Sequence, residues 1–158
     1  QESSRLLGRS LRAAVDMKAL GERQVHIDCD VVQADGGTRT AAITGGFVAL
    51  ALALKFLKNQ GQVATIPLKN YVAAVSVGLL NNNVLLDLNY DEDSACQTDM
   101  NFVMTDAADF VEVQGTAEGG TFSKKQMDEM AMRASLGCRQ LMAKQAEIVG
   151  SFFPLKSL

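Results

Sequence analysis

Two groups of residues in this chain have the types and spacing to do chemistry. The first is Asp35-Gly36-Gly37-Thr38-Arg39-Thr40. Two glycines and an arginine ahead of a long apolar run suit an anion. Unpaired backbone N–H groups and the positive end of a helix dipole would point at it, the glycines let backbone approach, and a guanidinium grips two oxygens in a fork. That is phosphate chemistry, with Gly37, Thr38 and Arg39 as the binding residues. The spacing equally fits a tight turn whose arginine pairs with a surface carboxylate, because glycine-rich turns before helices are common.

The second group is acidic: Asp91, Glu92, Asp93 and Asp99 put four carboxylates within nine positions. A hard divalent cation such as Mg²⁺ takes oxygen ligands, commonly one or two carboxylates completed by waters and substrate phosphates. Asp93 and Asp99 are the pair best suited to that role, and a solvated acidic loop is the competing reading. His26 is the only histidine, which excludes histidine triads and multi-histidine metal sites; no Ser or Cys nucleophile has a local histidine to activate it. His26 alternates with Val25 and Ile27 and reads as an ordinary exposed side chain.

Elements at fixed places must hold these residues. Leu6, Leu7, Leu11, Ala14 and Val15 recur at helical spacing, so residues 3–18 are expected to form an amphipathic helix that Gly21 ends. From Arg23 to Gln33, Val25, Ile27, Cys29 and Val31 alternate with polar positions, the pattern of a half-buried strand. Asp35-Gly36-Gly37 is then a turn, and Thr38 or Thr40 is a suitable cap for a helix running to about Lys58, apolar nearly all round and so expected to be buried. Val72–Leu80 and Val84–Tyr90, separated by three asparagines, read as a hairpin whose apolar surface suits an oligomer interface; Asp99–Thr105 and Phe110–Thr116 read as a second hairpin. The acidic segment falls at the junction between the hairpins. Ser123 with Gln126 matches a capping box for a helix to about Val149, whose methionines read as core filler, and residues 151–158 read as a tail.

The bulk composition agrees with one such domain. A chain of 158 residues with 47% hydrophobic and 21% charged content can bury a sizeable core and is too short for two typical domains. A net charge of −3 argues against a free-standing, non-specific nucleic-acid binder, so any RNA contact must be local. Three cysteines at positions 29, 96 and 138 have no metal-ligand spacing and suit reduced thiols in a cytoplasmic protein. The longest apolar stretch, Ala41–Leu54, is interrupted by Thr44, Gly45 and Gly46 and reads as too short to cross a bilayer, so no membrane partner is expected. The chain opens on Gln1 and enters a helical pattern almost at once, so preceding sequence is expected to be missing.

Several longer motifs carry a resemblance. Arg5-Leu6-Leu7-Gly8-Arg9, Asp28-Cys29-Asp30-Val31-Val32-Gln33-Ala34-Asp35-Gly36-Gly37-Thr38-Arg39, Ala73-Ala74-Val75-Ser76-Val77-Gly78, Glu92-Asp93-Ser94, Thr98-Asp99-Met100-Asn101-Phe102 and Val111-Glu112-Val113-Gln114-Gly115 follow one another in order. Together they resemble the RNase PH family of phosphorolytic 3′ exoribonucleases, over roughly its C-terminal two-thirds. The resemblance implies an α+β fold like ribosomal protein S5 domain 2, a mixed sheet with packed helices lacking its N-terminal third. It implies a hexameric ring built as a trimer of dimers, and removal of 3′-terminal nucleotides from RNA, notably tRNA 3′ trailers, by inorganic phosphate with release of nucleoside diphosphates.

Residue by residue, the resemblance implies that Gly37, Thr38 and Arg39 form the phosphate-binding turn and that Asp93 and Asp99 form the metal and catalytic pair. Asp93 serves there as a Mg²⁺ ligand or as the proton donor to the leaving 3′ oxygen. A second phosphate-binding arginine in the family lies before this chain's first residue, so a separate N-terminal piece is a possible partner. Two other readings share the fold: a structural or RNA-guiding ring subunit without chemistry, against which Arg39, Asp93 and Asp99 count, and polynucleotide phosphorylase, whose repeated domain needs a much longer chain.

Overall fold

The computed structural model of the chain describes residues 2–156. Its elements are α1 (Glu2–Arg12), α2 (Met17–Leu20), α3 (Thr38–Asn59), β1 (Val72–Leu80), β2 (Asn83–Leu86), α4 (Tyr90–Ala95), β3 (Thr98–Thr105), β4 (Phe110–Ala117) and α5 (Lys124–Val149). The architecture is α+β. The mixed sheet expected from the resemblance is, over the described residues, antiparallel throughout, in the order β2-β1-β3-β4.

β1 is the centre of the molecule. Val72 to Leu79 are all buried, as expected of a strand covered on both faces. Its hairpin to β2 turns on Asn81 and Asn82, both in the left-handed region at φ 51° and 63°, the conformation a two-residue hairpin needs and asparagine tolerates. β2 pairs only with Val77–Leu80, which leaves the outer edge of β1 from Val72 to Ser76 without a strand. Side chains from two helices fill that gap. Thr44 of α3 donates its hydroxyl to Ala74 O and accepts from Ala74 N, and Gln145 of α5 donates to Val72 O at 2.9 Å and to Thr44 O at 3.0 Å. Buried backbone groups are thereby satisfied where the ladder stops. β1 is thereby enclosed, while Leu80, Val84, Leu85 and Leu86 of the same hairpin remain only half-buried.

The core gathers Leu6 and Leu11 of α1, Ile43, Phe47, Leu50 and Leu54 of α3, the strands' Val77 and Phe102, and Met130, Met142 and Val149 of α5. α3 is long and apolar enough by composition to cross a membrane, which corrects the expectation from the shorter Ala41–Leu54 run, but here it is the fold's central helix. It is buried against the sheet as expected, on one side only: Leu52 and Phe56 are 44% and 59% exposed. Phe152 and Phe153, in the stretch expected to be a tail, are packed as well, with Phe153 stacked on the buried Tyr71 ring at 5.1 Å and Lys55 over Phe152. A tertiary contact thus overrides the unpatterned tail sequence.

Two other expectations change. The helix expected over 3–18 stops at Arg12, because Val15 bridges Leu68, Asp16 N–H donates to Pro67 O, and the Asp16 side chain then caps α2. Gly21 does terminate α2, in a positive-φ conformation. The segment 23–33 is not a strand among the described residues. Val25 and Ile27 are half-buried and His26 is exposed as the alternation predicts, but no strand lies beside them, and Val31 and Val32 face outward at 54% and 96% exposure. Alternation encodes which face is apolar; it does not supply a ladder partner.

Candidate active site

The glycine turn expected to bind an anion lies directly before α3, as the sequence places it. Gly37 is the N-cap of α3 at φ 77°, in the left-handed region that glycine enters without penalty, and it makes no side-chain cap. The expected threonine caps are displaced by one role each: Thr38 opens the helix, while Thr40, buried one turn in, donates its hydroxyl back to Gly37 O at 2.9 Å. The first-turn N–H groups of α3 therefore have no side-chain acceptor, and no acidic side chain stands in that turn. Positive dipole density and the exposed Arg39 guanidinium remain for an anion.

Gly36 fixes what lies beside the turn. A Cβ there would stand 2.2 Å from Leu88 O and 2.8 Å from the Asn89 carbonyl carbon, so only glycine lets the two backbones touch. Leu88 is pinned in turn to β1: its N–H donates to Ser76 Oγ at 3.1 Å, and Asp87 N–H donates to Ser76 O at 2.8 Å. The contact delivers the start of α4 to the phosphate turn. Asp35 completes the junction, its Oδ1 accepting from Gly36 N at 2.8 Å and from Tyr90 N at 2.7 Å. Those two amide hydrogen bonds hold the Asp35 carboxyl below its usual range.

The acidic segment, expected to be a strand junction, is the helix α4. Asn89 and Glu92 close a capping box, Asn89 Oδ1 accepting from Glu92 N at 2.8 Å and Glu92 Oε2 from Asn89 N at 3.1 Å. Glu92 is thus occupied with the helix end, while Asp91 and Asp93 are exposed. The helix is short and none of its residues is buried. Asp99 lies on the following strand β3, half-buried. Its carboxyl is pushed up by burial first, then by the charges of Asp93 and Glu118, against the opposing pull of its own backbone N–H and of Arg39. Asp99 therefore feels both halves of the site, the acidic helix and the phosphate turn.

Among the described residues no three or more His, Cys, Asp or Glu side chains gather as a ready-made metal cage. Asp93 and Asp99 nevertheless fit Mg²⁺: a half-buried carboxylate whose charge is disfavoured by a second one nearby, the second open to solvent, is what this ion uses when waters and phosphate oxygens complete its shell. Cys96 and Cys138 are buried and unpaired, with Cys138 pushed up to about 12 by burial, and Cys29 is exposed.

All five predicted site residues thus lie on elements that meet around Ser76, Leu88 and Gly36. Sequence reasoning placed Asp35 in the turn motif without giving it a role of its own, and missed Ser76 beside it. Asp35 was legible only as a turn former, and Ser76 only as a member of a strand; the Asn89–Glu92 capping box was the local signal that the acidic run is helical.

Comparison with known proteins places the chain in a family. Two family models match in order: the 3′ exoribonuclease family, domain 1, over residues 1–55, and the same family's domain 2 over residues 70–135. The chain is 62% identical over 155 residues to Ribonuclease PH of Bdellovibrio bacteriovorus, covering 98% of this chain and 64% of the relative, and 58% identical to Ribonuclease PH of Syntrophomonas wolfei, covering 94% and 62%. The chain thus spans a little over three-fifths of the length of these relatives. Its fold superimposes on a chain of an archaeal exosome core with a TM-score of 0.72 at 22% identity, over 91% of this chain and 62% of that one. Matched in order by both domain models over most of its length, the chain belongs to the 3′ exoribonuclease family.

Proposed function

We propose that this chain carries the phosphate turn and the acidic pair of a phosphorolytic 3′→5′ exoribonuclease, a phosphate-dependent tRNA nucleotidyltransferase. The observation that carries the reading is the meeting of an uncapped α3 N-terminus bearing Arg39 with a carboxylate, Asp99, that feels both Arg39 and Asp93. Relatives named Ribonuclease PH at 62% and 58% identity support it.

In this reading inorganic phosphate is the nucleophile. The first-turn N–H groups, the Thr38 hydroxyl and Arg39 hold it and aim one oxygen at the phosphorus of the last phosphodiester bond. A P–O bond forms to the incoming phosphate, the bond to the 3′ oxygen of the shortened RNA breaks, and that oxygen takes a proton; the products are a nucleoside diphosphate and an RNA shorter by one residue. Asp93 and Asp99 would hold Mg²⁺, which when bound would offset charge at the scissile phosphate. The exposed Asp93 carboxyl is alternatively the group that moves the proton to the leaving oxygen.

The wider expectations belong to the same proposal: an RNA 3′ end, typified by tRNA precursors, as substrate; a homo-oligomeric ring, probed by native mass; a possible separate N-terminal piece; and a cytoplasmic setting, which three unpaired cysteines favour. RNA with a free 3′ end should yield nucleoside diphosphates only when phosphate is added, and Arg39→Ala should cut that rate by about 10²–10³-fold. Nucleoside monophosphates released without phosphate would reject the reading. Activity of the assembled complex unchanged by Arg39→Ala and Asp93→Ala would instead favour the non-catalytic ring subunit.

A further inference from the structure

Helix α4 has no apolar anchor. None of its residues is buried, and its capping box is internal, tying Asn89 to Glu92 and nothing to the rest of the fold. Yet it carries Asp93, whose distance from the phosphate turn the proposed chemistry must hold fixed. Its first N–H, that of Tyr90, is given to Asp35, a residue 55 positions earlier and exposed to solvent. The same Asp35 oxygen takes the N–H of Gly36, whose missing side chain lets the turn press on Leu88 and Asn89. At the other end of α4, Cys96 is buried and donates its backbone N–H to Glu92 O. The helix is therefore located by its two ends: the end nearest the site follows Leu88, which is buried and hydrogen-bonded to Ser76, and its hydrogen bond across to the turn before α3 runs through one oxygen atom of Asp35.

From this geometry we propose that Asp35 is a positioning residue, a staple that sets the separation between the phosphate turn and the Asp93-bearing helix. It touches neither phosphate nor RNA and acts through Tyr90 N–H and Gly36 N–H. The inference rests on the function proposed above for what it does in catalysis, while the staple itself can be tested without that function.

The staple makes opposite demands on four substitutions. Asp35→Ala removes the acceptor. Asp35→Asn keeps a side-chain oxygen able to accept both N–H groups and removes only the charge. Tyr90→Pro removes the donor at the first helical position, where proline is well tolerated, after an Asn89 that already has the extended backbone proline requires of its predecessor. Tyr90→Ala loses the ring and keeps the donor. In the full, assembled chain, Asp35→Ala and Tyr90→Pro should each lower kcat for phosphorolysis by about 10²-fold, the cost of a displacement near 1 Å in a reacting group. In Tyr90→Pro the KM for phosphate should stay within about 3-fold, because the turn keeps its own bond to Asp35. Asp35→Asn and Tyr90→Ala should stay within about 3-fold in kcat, and the Asp35→Ala/Tyr90→Pro double variant should be no worse than either parent, since both remove one interaction.

Hydrogen exchange at the α4 amides supplies the independent readout: slow in the parent chain and Asp35→Asn, faster by 10-fold or more in Asp35→Ala. An inactive parent chain would reject the functional reading and leave the exchange comparison to decide the staple. Equal effects of Asp35→Asn and Asp35→Ala, additive losses in the double variant, or α4 exchange indifferent to Asp35→Ala would overturn it.

Discussion

Asp99 stands where stability and activity pull apart. Its carboxyl titrates above the ordinary aspartate range because burial and the neighbouring Asp93 and Glu118 disfavour its charge. The folded state therefore holds this proton more tightly than the unfolded state, so at pH well above both values the ionised group costs stability, and the cost is relieved as pH falls through the raised folded pKa. Asp99→Asn should raise the melting temperature near neutral pH in chelator-containing buffer, with the gain shrinking on acidification, while phosphorolysis falls by about 10²–10⁴-fold. A variant less stable than the parent at neutral pH would show that Asp99 is instead well paired in the fold. Spacing alone singled out Asp93 and Asp99 as a candidate pair and left a solvated acidic loop as the competing reading. The role of Asp35 was not legible: an aspartate before two glycines reads as a turn former, and its partner Tyr90 is distant in sequence. Side chains that act locally announce themselves, whereas one whose hydrogen bond crosses the fold does not.

Elements followed their punctuation. The capping box at Ser123 and Gln126 was readable and opens α5 as expected, with Ser123 Oγ accepting from Gln126 N at 3.1 Å and Gln126 Oε1 from Ser123 N at 2.8 Å. Because α5 then buries Met130, Ala134, Cys138 and Met142 against the sheet, its first turn is the least anchored part of a long helix. Ser123→Ala should cost about 1 kcal/mol in urea unfolding with an unchanged denaturant slope. A cost near zero would mean that this turn is already frayed. The same box motif at Asn89 and Glu92 is equally explicit but sits behind an apolar run that looks like a continuing strand; β2 stops at Leu86 because Asp87 takes a positive φ of 61°, which no residue pattern there advertises. At 3–18 the periodicity was right and the length wrong, since the bridge from Val15 to Leu68 is a tertiary choice.

For the molecule as a whole, the informative contrast is between two segments whose patterns both predict strands. Val72–Leu80 is apolar apart from Ser76 and lies at the centre of the sheet, paired with β3 along its length and closed on its other edge by β2, Thr44 and Gln145. Residues 24–31 have no assigned element; their alternation correctly puts Val25 and Ile27 inward, yet no strand pairs with them among the described residues. Sequence could rank both as strands because apolar patterning reports burial; hydrogen-bond partnership is a property of the assembled chain. Amide exchange should separate them. In the 158-residue chain, the N–H groups of β1 should exchange only through global unfolding, so their protection should equal the unfolding free energy and respond fully to denaturant. The N–H groups of residues 24–31 should exchange close to unprotected rates and be indifferent to low denaturant, although Ile27 packs on α3 close to Gly46. Strong protection across 24–31 in an otherwise monomeric sample would mean that the segment has a backbone partner in solution, and the sheet order would then have to include it. Protection that appears only as the chain associates would place that partner on another molecule, and its concentration dependence would distinguish the two cases.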